Sequence, residues 1–147
     1  MEIQTLISNQ KVAVLMSNST WRFPSTPLCI GEIEQLVEQL AAKYCIAQDK
    51  YPNILISLTE AVNNAIIHGN GCDECKCVQI DIEEQPQCIT VIVKDEGQGF
   101  DPDKVNDPTL PENITKDGGR GIFLIKQLCD RVHYERNGSE VKMSFDI

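Results

Sequence analysis

Residues 60–69 read Glu-Ala-Val-Asn-Asn-Ala-Ile-Ile-His-Gly, and two patterns are superposed in them. Glu60, Asn64 and His68 recur at steps of four, which lines them along one stripe of a helix. Ala61, Val62 and Ala65 fall on another face and continue the apolar side begun by Ile54 and Leu58. A merely solvated face would carry Lys and Glu pairs, and this stripe does not. The helix is expected to start at Asp49 as its cap, with Pro52 in the first turn, and to run to about His68. Gly69-Asn70-Gly71 then stops it.

Working outward toward the N-terminus, a helix is expected from Leu28 to Cys45, with Ile33, Leu36, Val37 and Leu40 at helical spacing. Ser19 to Phe23 reads as a short strand closed by Pro24 and Pro27. Residues 1–17, with the apolar stretch Val12 to Met16, read as an N-terminal extension or an edge strand preceding a domain of 18–147. Toward the C-terminus, Cys77 to Glu83 alternates, and Ile89 to Val93 is a continuous apolar run, with a turn over 84–87 between them. Asp95 to Gly119 is rich in glycine and proline and reads as a long functional loop. A helix from Arg120 to Asp130 and two strands, Arg131 to Arg136 and Glu140 to Asp146, follow, the strands joined around Asn137-Gly138. The order β-α-α-β-β-loop-α-β-β predicts an α+β fold, a two-layer sandwich of a mostly antiparallel mixed sheet with helices on one face.

The chain has 147 residues, enough for one core and little room for a second domain. Its formal charge of −9 gives it no electrostatic footprint for nucleic acid. No apolar run approaches the roughly 18 residues of a membrane span. The first residues lack a basic segment ahead of an apolar one, which argues against a signal peptide, so a cytoplasmic location is expected. Seven cysteines in such a chain do not suggest a disulfide framework. Cys72, Cys75 and Cys77 are close enough in sequence to suggest zinc, with Cys88 or His68 as a fourth ligand, although reduced thiols without a ligand fit the same spacing.

Two further segments carry polar chemistry. Val-Lys-Asp-Glu-Gly-Gln-Gly-Phe, residues 93–100, ends an apolar strand on Asp95 and then alternates Gly97 and Gly99. A carboxylate there accepts from an exocyclic amine, and the glycines let backbone approach a ligand. Gly118-Gly119-Arg120-Gly121 opens a helix, and a glycine-rich loop at a helix N-terminus offers free N–H groups to a phosphate.

The three segments, in this order, resemble the N, G1 and G2 boxes of the gyrase, histidine-kinase and MutL-type ATPase superfamily. Within it, 60–69 and 118–125 look most like the small anti-sigma factor serine/threonine kinases. The resemblance implies ATP and Mg²⁺ as cofactors, with Glu60 as general base toward a substrate hydroxyl and Asn64 as a Mg²⁺ ligand. It also implies Asp95 as the adenine-reading carboxylate and Gly97 and Gly99 as the G1 glycines. Gly118, Gly119 and Gly121 would form the phosphate loop, Arg120 would reach a phosphate, and Ser139 would lie beside the adenine. Residues 100–118 would be a lid over the nucleotide, and His68 would lie by the lid or cap its helix. The implied partners are an anti-sigma-factor antagonist protein, as phosphoacceptor, and a sigma factor; a homodimer is implied as well. A nucleotide-gated binding module without phosphotransfer, a histidine-kinase-type domain acting in trans, and a zinc-binding regulator are the competing readings.

Overall fold

The computed structural model describes residues 3–8, 11–16, 20–99 and 119–147. The strands are β1 (Ile3–Ser8), β2 (Lys11–Met16), β3 (Thr20–Pro24), β4 (Cys77–Gln85), β5 (Cys88–Lys94), β6 (Arg131–Glu135) and β7 (Glu140–Asp146). The helices are α1 (Ile30–Lys43), α2 (Tyr51–Asn64) and α3 (Gly119–Leu128). One sheet runs in the order β1-β2-β3-β4-β5-β7-β6. All six pairings are antiparallel, so no parallel pair of the kind a mixed sheet contains occurs among the described residues. Residues 11–16 pair on both sides, with β1 and with β3, so β1 forms that edge of the sheet.

The second layer follows from alternation. Val78, Ile80 and Ile82 on β4 alternate with more exposed residues, and they join Val91 and Val93 of β5 and Met143 and Phe145 of β7 in one core. Ile33, Leu36, Val37 and Leu40 of α1 enter the same core at helical spacing, as do Ile54, Leu58, Ala61 and Val62 of α2 and Ile125 of α3. The α+β sandwich is therefore the observed architecture.

Local departures have local causes. The helix expected from Leu28 begins as a 3-10 turn over Pro27–Cys29, with the Thr26 hydroxyl accepting from Leu28 N, and becomes α-helical only at Ile30. It ends at Lys43 because Cys45 turns left-handed (φ 52°) and Ile46 N–H returns to the Ala41 carbonyl. Asp49 does not cap α2. The Ala47 carbonyl accepts from both Lys50 N and Tyr51 N, so a backbone turn winds into the helix and Lys50 takes the cap position without a side-chain bond. The hairpin between β4 and β5 is tighter than expected, with only Pro86 and Gln87 (φ 63°) between the strands.

On the sheet face away from the helices, Lys94 reaches Asp81 on β4 at 3.0 Å and Glu140 on β7 at 3.6 Å. This ties three strands together one residue before Asp95. Burial pushes the Asp81 carboxyl up, but hydrogen bonds from Lys94, Thr20 and Gln79 outweigh it and hold the group below its ordinary 3.8. A depressed folded value stabilises above the unfolded value and is lost as pH falls through the folded one. Asp81→Asn should therefore cost about 1.5–3 kcal/mol near neutrality, the worth of a hydrogen bond to a charged group. Urea midpoints should show that deficit shrinking as pH drops below 3.8.

Candidate functional site

The last turn of the helix bearing Glu60 is not α-helical. Residues Ala65–Gly69 form a π turn, closed by Asn70 N–H to the Ala65 carbonyl at 2.8 Å. Such wide turns concentrate at functional sites and change the helical phase. Glu60 and Asn64 precede the change and are half-buried, whereas His68 lies within it and is exposed. The stripe of three thus divides: the first two face inward, toward Gly121, and His68 stands exposed at the helix end.

The π turn delivers Gly69 to Asp95. A Cβ at Gly69 would overlap the Asp95 carboxylate, and a Cβ at Gly97 would overlap the Gly69 carbonyl. Only glycine fits at either place, so the end of the helix and the start of the 95–99 loop pack backbone to backbone. Asp95 is buried, its N–H bonds the Ser139 carbonyl at 2.9 Å, and its Oδ1 accepts from Gly97 N at 2.8 Å. Among the described residues, no hydrogen bond goes to its other oxygen. Burial raises the Asp95 carboxyl above its ordinary 3.8, and the Gly97 amide, then the Arg136 and Lys76 charges, offset part of that. Gly99 (φ 83°) packs on the Asn137 carbonyl. Ser139 is buried beside Asp95, and its hydroxyl donates to the Arg136 carbonyl at 2.8 Å.

The third segment meets the first. A Cβ on Gly121 would stand 2.8 Å from Glu60 Oε2 and 3.2 Å from Asn64 Nδ2. The N-terminal turn of α3 is therefore laid against the two polar ends of α2, with room for no side chain between them. Gly119 opens α3 and Arg120 is exposed on it. Gly118 and the 100–118 stretch lie outside the described residues. Between the three segments is a small cleft with an apolar floor that includes Ala61, Ala65, Val93 and Ile125, and with Asn64, Asp95 and Ser139 on its polar rim. The cleft holds only about 20 Å³, room for a water and not for a ring as it stands. A carboxylate such as Asp95 can nevertheless accept from an exocyclic amine, and an amide oxygen such as that of Asn64 suits a hard cation. A larger groove of about 490 Å³, around Cys129, Arg131 and His133, contains none of the expected site residues.

Asn70 is a participant that the sequence reading used only as part of a helix stop. It is buried, its Nδ2 donates to Ser25 Oγ at 2.6 Å and to the Cys77 carbonyl at 3.0 Å, and its Oδ1 accepts from Glu96 N at 2.7 Å. The one signal in the sequence was an asparagine between two glycines. Tyr134 also lines the cleft and was not singled out. The zinc expectation finds no support: Cys72 and Cys75 are exposed and Cys77 is half-buried, and among the described residues no three His, Cys, Asp or Glu groups converge as a metal site would require.

Comparison with known proteins places these features in context. The profile of the histidine kinase-like ATPase domain matches residues 23–145. The Serine-protein kinase RsbW of Bacillus subtilis is 27% identical over 122 residues, covering 79% of this chain and 76% of its own. The Serine-protein kinase RsbW of Oceanobacillus iheyensis is 26% identical over 117 residues, covering 76% and 74%. That of Staphylococcus epidermidis is 26% identical over 130 residues, covering 83% and 82%.

Proposed function

The chain belongs to the histidine kinase-like ATPase domain family, and from that premise we propose that it is an ATP-dependent serine/threonine kinase and anti-sigma factor. It would phosphorylate an anti-sigma-factor antagonist protein and, in the alternate state of the circuit, hold a sigma factor. The observation that carries the proposal is the meeting of Gly121 with Glu60 and Asn64, which sets a helix N-terminus beside a carboxylate and an amide. The names of the relatives described above support the substrate class.

Each residue then has a task that its surroundings favour. Asp95 accepts from the exocyclic amine of adenine over the apolar floor of the cleft, and Ser139 lies beside the ring. Gly97 and Gly99 bring backbone close to the nucleotide without side chains in the way. The amides of Gly119 and Gly121 at the start of α3 face phosphate oxygens, with Gly118 before them and Arg120 as a reaching cation. Asn64 would hold Mg²⁺, whose chemistry is to neutralise charge on the transferring phosphoryl group. Glu60 orients the attacking hydroxyl and takes its proton, since this transfer depends mostly on positioning and charge. Residues 100–118 are proposed as the lid, and 1–17 as an N-terminal extension or edge strand preceding the ATPase domain of 18–147. A homodimer in the cytoplasm completes the reading. Among the described residues no helix is long and apolar enough to cross a membrane.

Gly121→Ala tests the convergence. The atoms in its way are side-chain ends that can swing aside, so the fold should hold, with an unchanged urea midpoint. Displacing the Glu60 carboxylate should lower phosphotransfer at least about tenfold, because small misplacements of a positioned group are costly. The function itself is tested by capture. Tagged Glu60→Gln protein with Mg-ATP is used as bait in lysate of the source cell, and wild-type protein is then offered each bound protein with labelled ATP. Acid-stable phosphoserine or phosphothreonine on a small antagonist is expected, together with a sigma factor as a second partner. Acid-labile label would move the protein to the histidine-kinase type of chemistry. Partners without any transfer would make it a nucleotide-gated binding module.

A further inference from the structure

Three of the seven cysteines lie within six residues of one another, Cys72 and Cys75 in the loop that joins the π turn to β4 and Cys77 at the first position of that strand. Buried Cys29, Cys88 and Cys129 are poor candidates for chemistry, and burial pushes the Cys129 thiol up to about 11. Cys45 is exposed but alone at the end of α1. Cys72 and Cys75 differ from all of these, being both exposed and on one short loop.

The loop makes two successive reversals. Asp73 N–H bonds the Asn70 carbonyl at 3.1 Å, with Gly71 (φ 60°) and Cys72 (φ 58°) between them. Lys76 N–H then bonds the Asp73 carbonyl at 2.9 Å, and Asp73 Oδ1 accepts from Cys75 N at 2.9 Å. Cys72 and Cys75 therefore hold the same third position in two consecutive turns. Three residues apart in the chain, their Cα atoms can be no more than about 10–11 Å from each other, and a disulfide needs about 4.4–6.8 Å, so closing one asks only for a local rearrangement of this loop.

Both ends of the loop grip one residue. Asn70 Oδ1 accepts from Glu96 N at 2.7 Å, and Cys77 N donates to Glu96 Oε2. Asn70 Nδ2 also closes the loop onto the Cys77 carbonyl at 3.0 Å. Glu96 stands between Asp95 and Gly97, and Gly69, just ahead of the loop, packs on both. The conformation of the cysteine loop and the placement of Asp95 are thus joined by hydrogen bonds and by backbone contact.

We propose that Cys72 and Cys75 form a thiol modification site, a dithiol that closes to a disulfide by exchange with a low-molecular-weight disulfide and loosens the adjoining nucleotide site. The coupling rests on the reading of Asp95 as a nucleotide contact; the modification does not. One thiolate attacks the small disulfide, giving a mixed disulfide and releasing one small thiolate. The second protein thiolate attacks the protein sulfur of that intermediate, forming the Cys72–Cys75 bond and expelling the other small thiolate. Two protein thiols give up two electrons and two protons, and the small disulfide becomes two thiols. The closed ring redraws both turns, and the Asn70 grip on Glu96 is what it strains.

The test equilibrates the whole protein with oxidised and reduced glutathione at several ratios. Peptide mapping then locates disulfides, and ATP binding is titrated on each form. The expected result is a Cys72–Cys75 bond with the loss of two hydrogens in mass. ATP affinity should fall about five- to tenfold, the worth of one neutral hydrogen bond, and should recover on reduction. Cys72→Ser and Cys75→Ser should each bind ATP normally and lose the response, whereas Cys45→Ser should keep it. Free or merely glutathionylated Cys72 and Cys75 at oxidising ratios would overturn the site. A mapped disulfide with unchanged ATP affinity would overturn the coupling, while reduced protein that binds no ATP would bring down the nucleotide reading itself.

Discussion

Glu60→Gln protein should bind Mg-ATP as the wild type does and transfer phosphate about 10²- to 10⁴-fold more slowly, the range that a positioned general base contributes. The amide matches the carboxylate in shape, so its packing over Gly121 is kept, and with it the seat of the α3 N-terminus. It cannot take a proton. The loss should therefore fall on kcat and leave the nucleotide dissociation constant unchanged, as for an interaction made only in the transition state. Single-turnover transfer to the captured antagonist, beside an equilibrium ATP titration, separates the two. Transfer at the wild-type rate would end the assignment of Glu60 as the base. A parallel loss of ATP affinity would instead place Glu60 among the groups that hold the nucleotide or its metal.

The placement of Glu60 was open to sequence reasoning because it depends on local period, whereas its role as a base came only from the family resemblance. Steps of four put Glu60 and Asn64 on one stripe, the apolar run to Val93 announced a strand ending on Asp95, and a glycine-rich opening marked the start of α3. The joint between these parts was not legible. Asn70 holds Ser25 and Glu96, 45 and 26 residues away in the chain, and no periodicity encodes partners at that range. The π turn depends on the same joint, since it carries Gly69 onto Asp95 and Gly97. Its cost is visible only from the far side of the contact. The Asp49 cap failed for a related reason: the Ala47 carbonyl satisfied the amides that a cap side chain would have taken. The placement of β7 between β5 and β6 also needs long-range pairing, although the Asn137-Gly138 turn that starts it was read correctly as a hairpin.

Asp95→Asn separates binding from folding, because the two should move in opposite directions. Burial raises the Asp95 carboxyl in the folded chain, so its ionised form is penalised by folding. A raised folded value in an acid costs stability above that value, and the cost is relieved as pH falls through it. Asparagine removes the charge and retains an oxygen for the Gly97 amide, the bond now made at 2.8 Å. The variant should therefore unfold at an equal or higher urea concentration near neutrality. It should also lack the wild type's relief on acidification through the raised value. Its ATP affinity should nevertheless drop about tenfold to a hundredfold, since a charge-assisted hydrogen bond to the exocyclic amine is worth about 1.5–3 kcal/mol. The amide can rotate to present its oxygen to adenine only by turning its NH₂ toward Gly97, so one of the two bonds is lost in either orientation. An unchanged ATP dissociation constant would remove Asp95 from the site. Affinity and stability falling together would show that the carboxylate holds the Gly69–Gly97 contact rather than the nucleotide, and the role of reading adenine would have to pass to another group on the rim of the cleft.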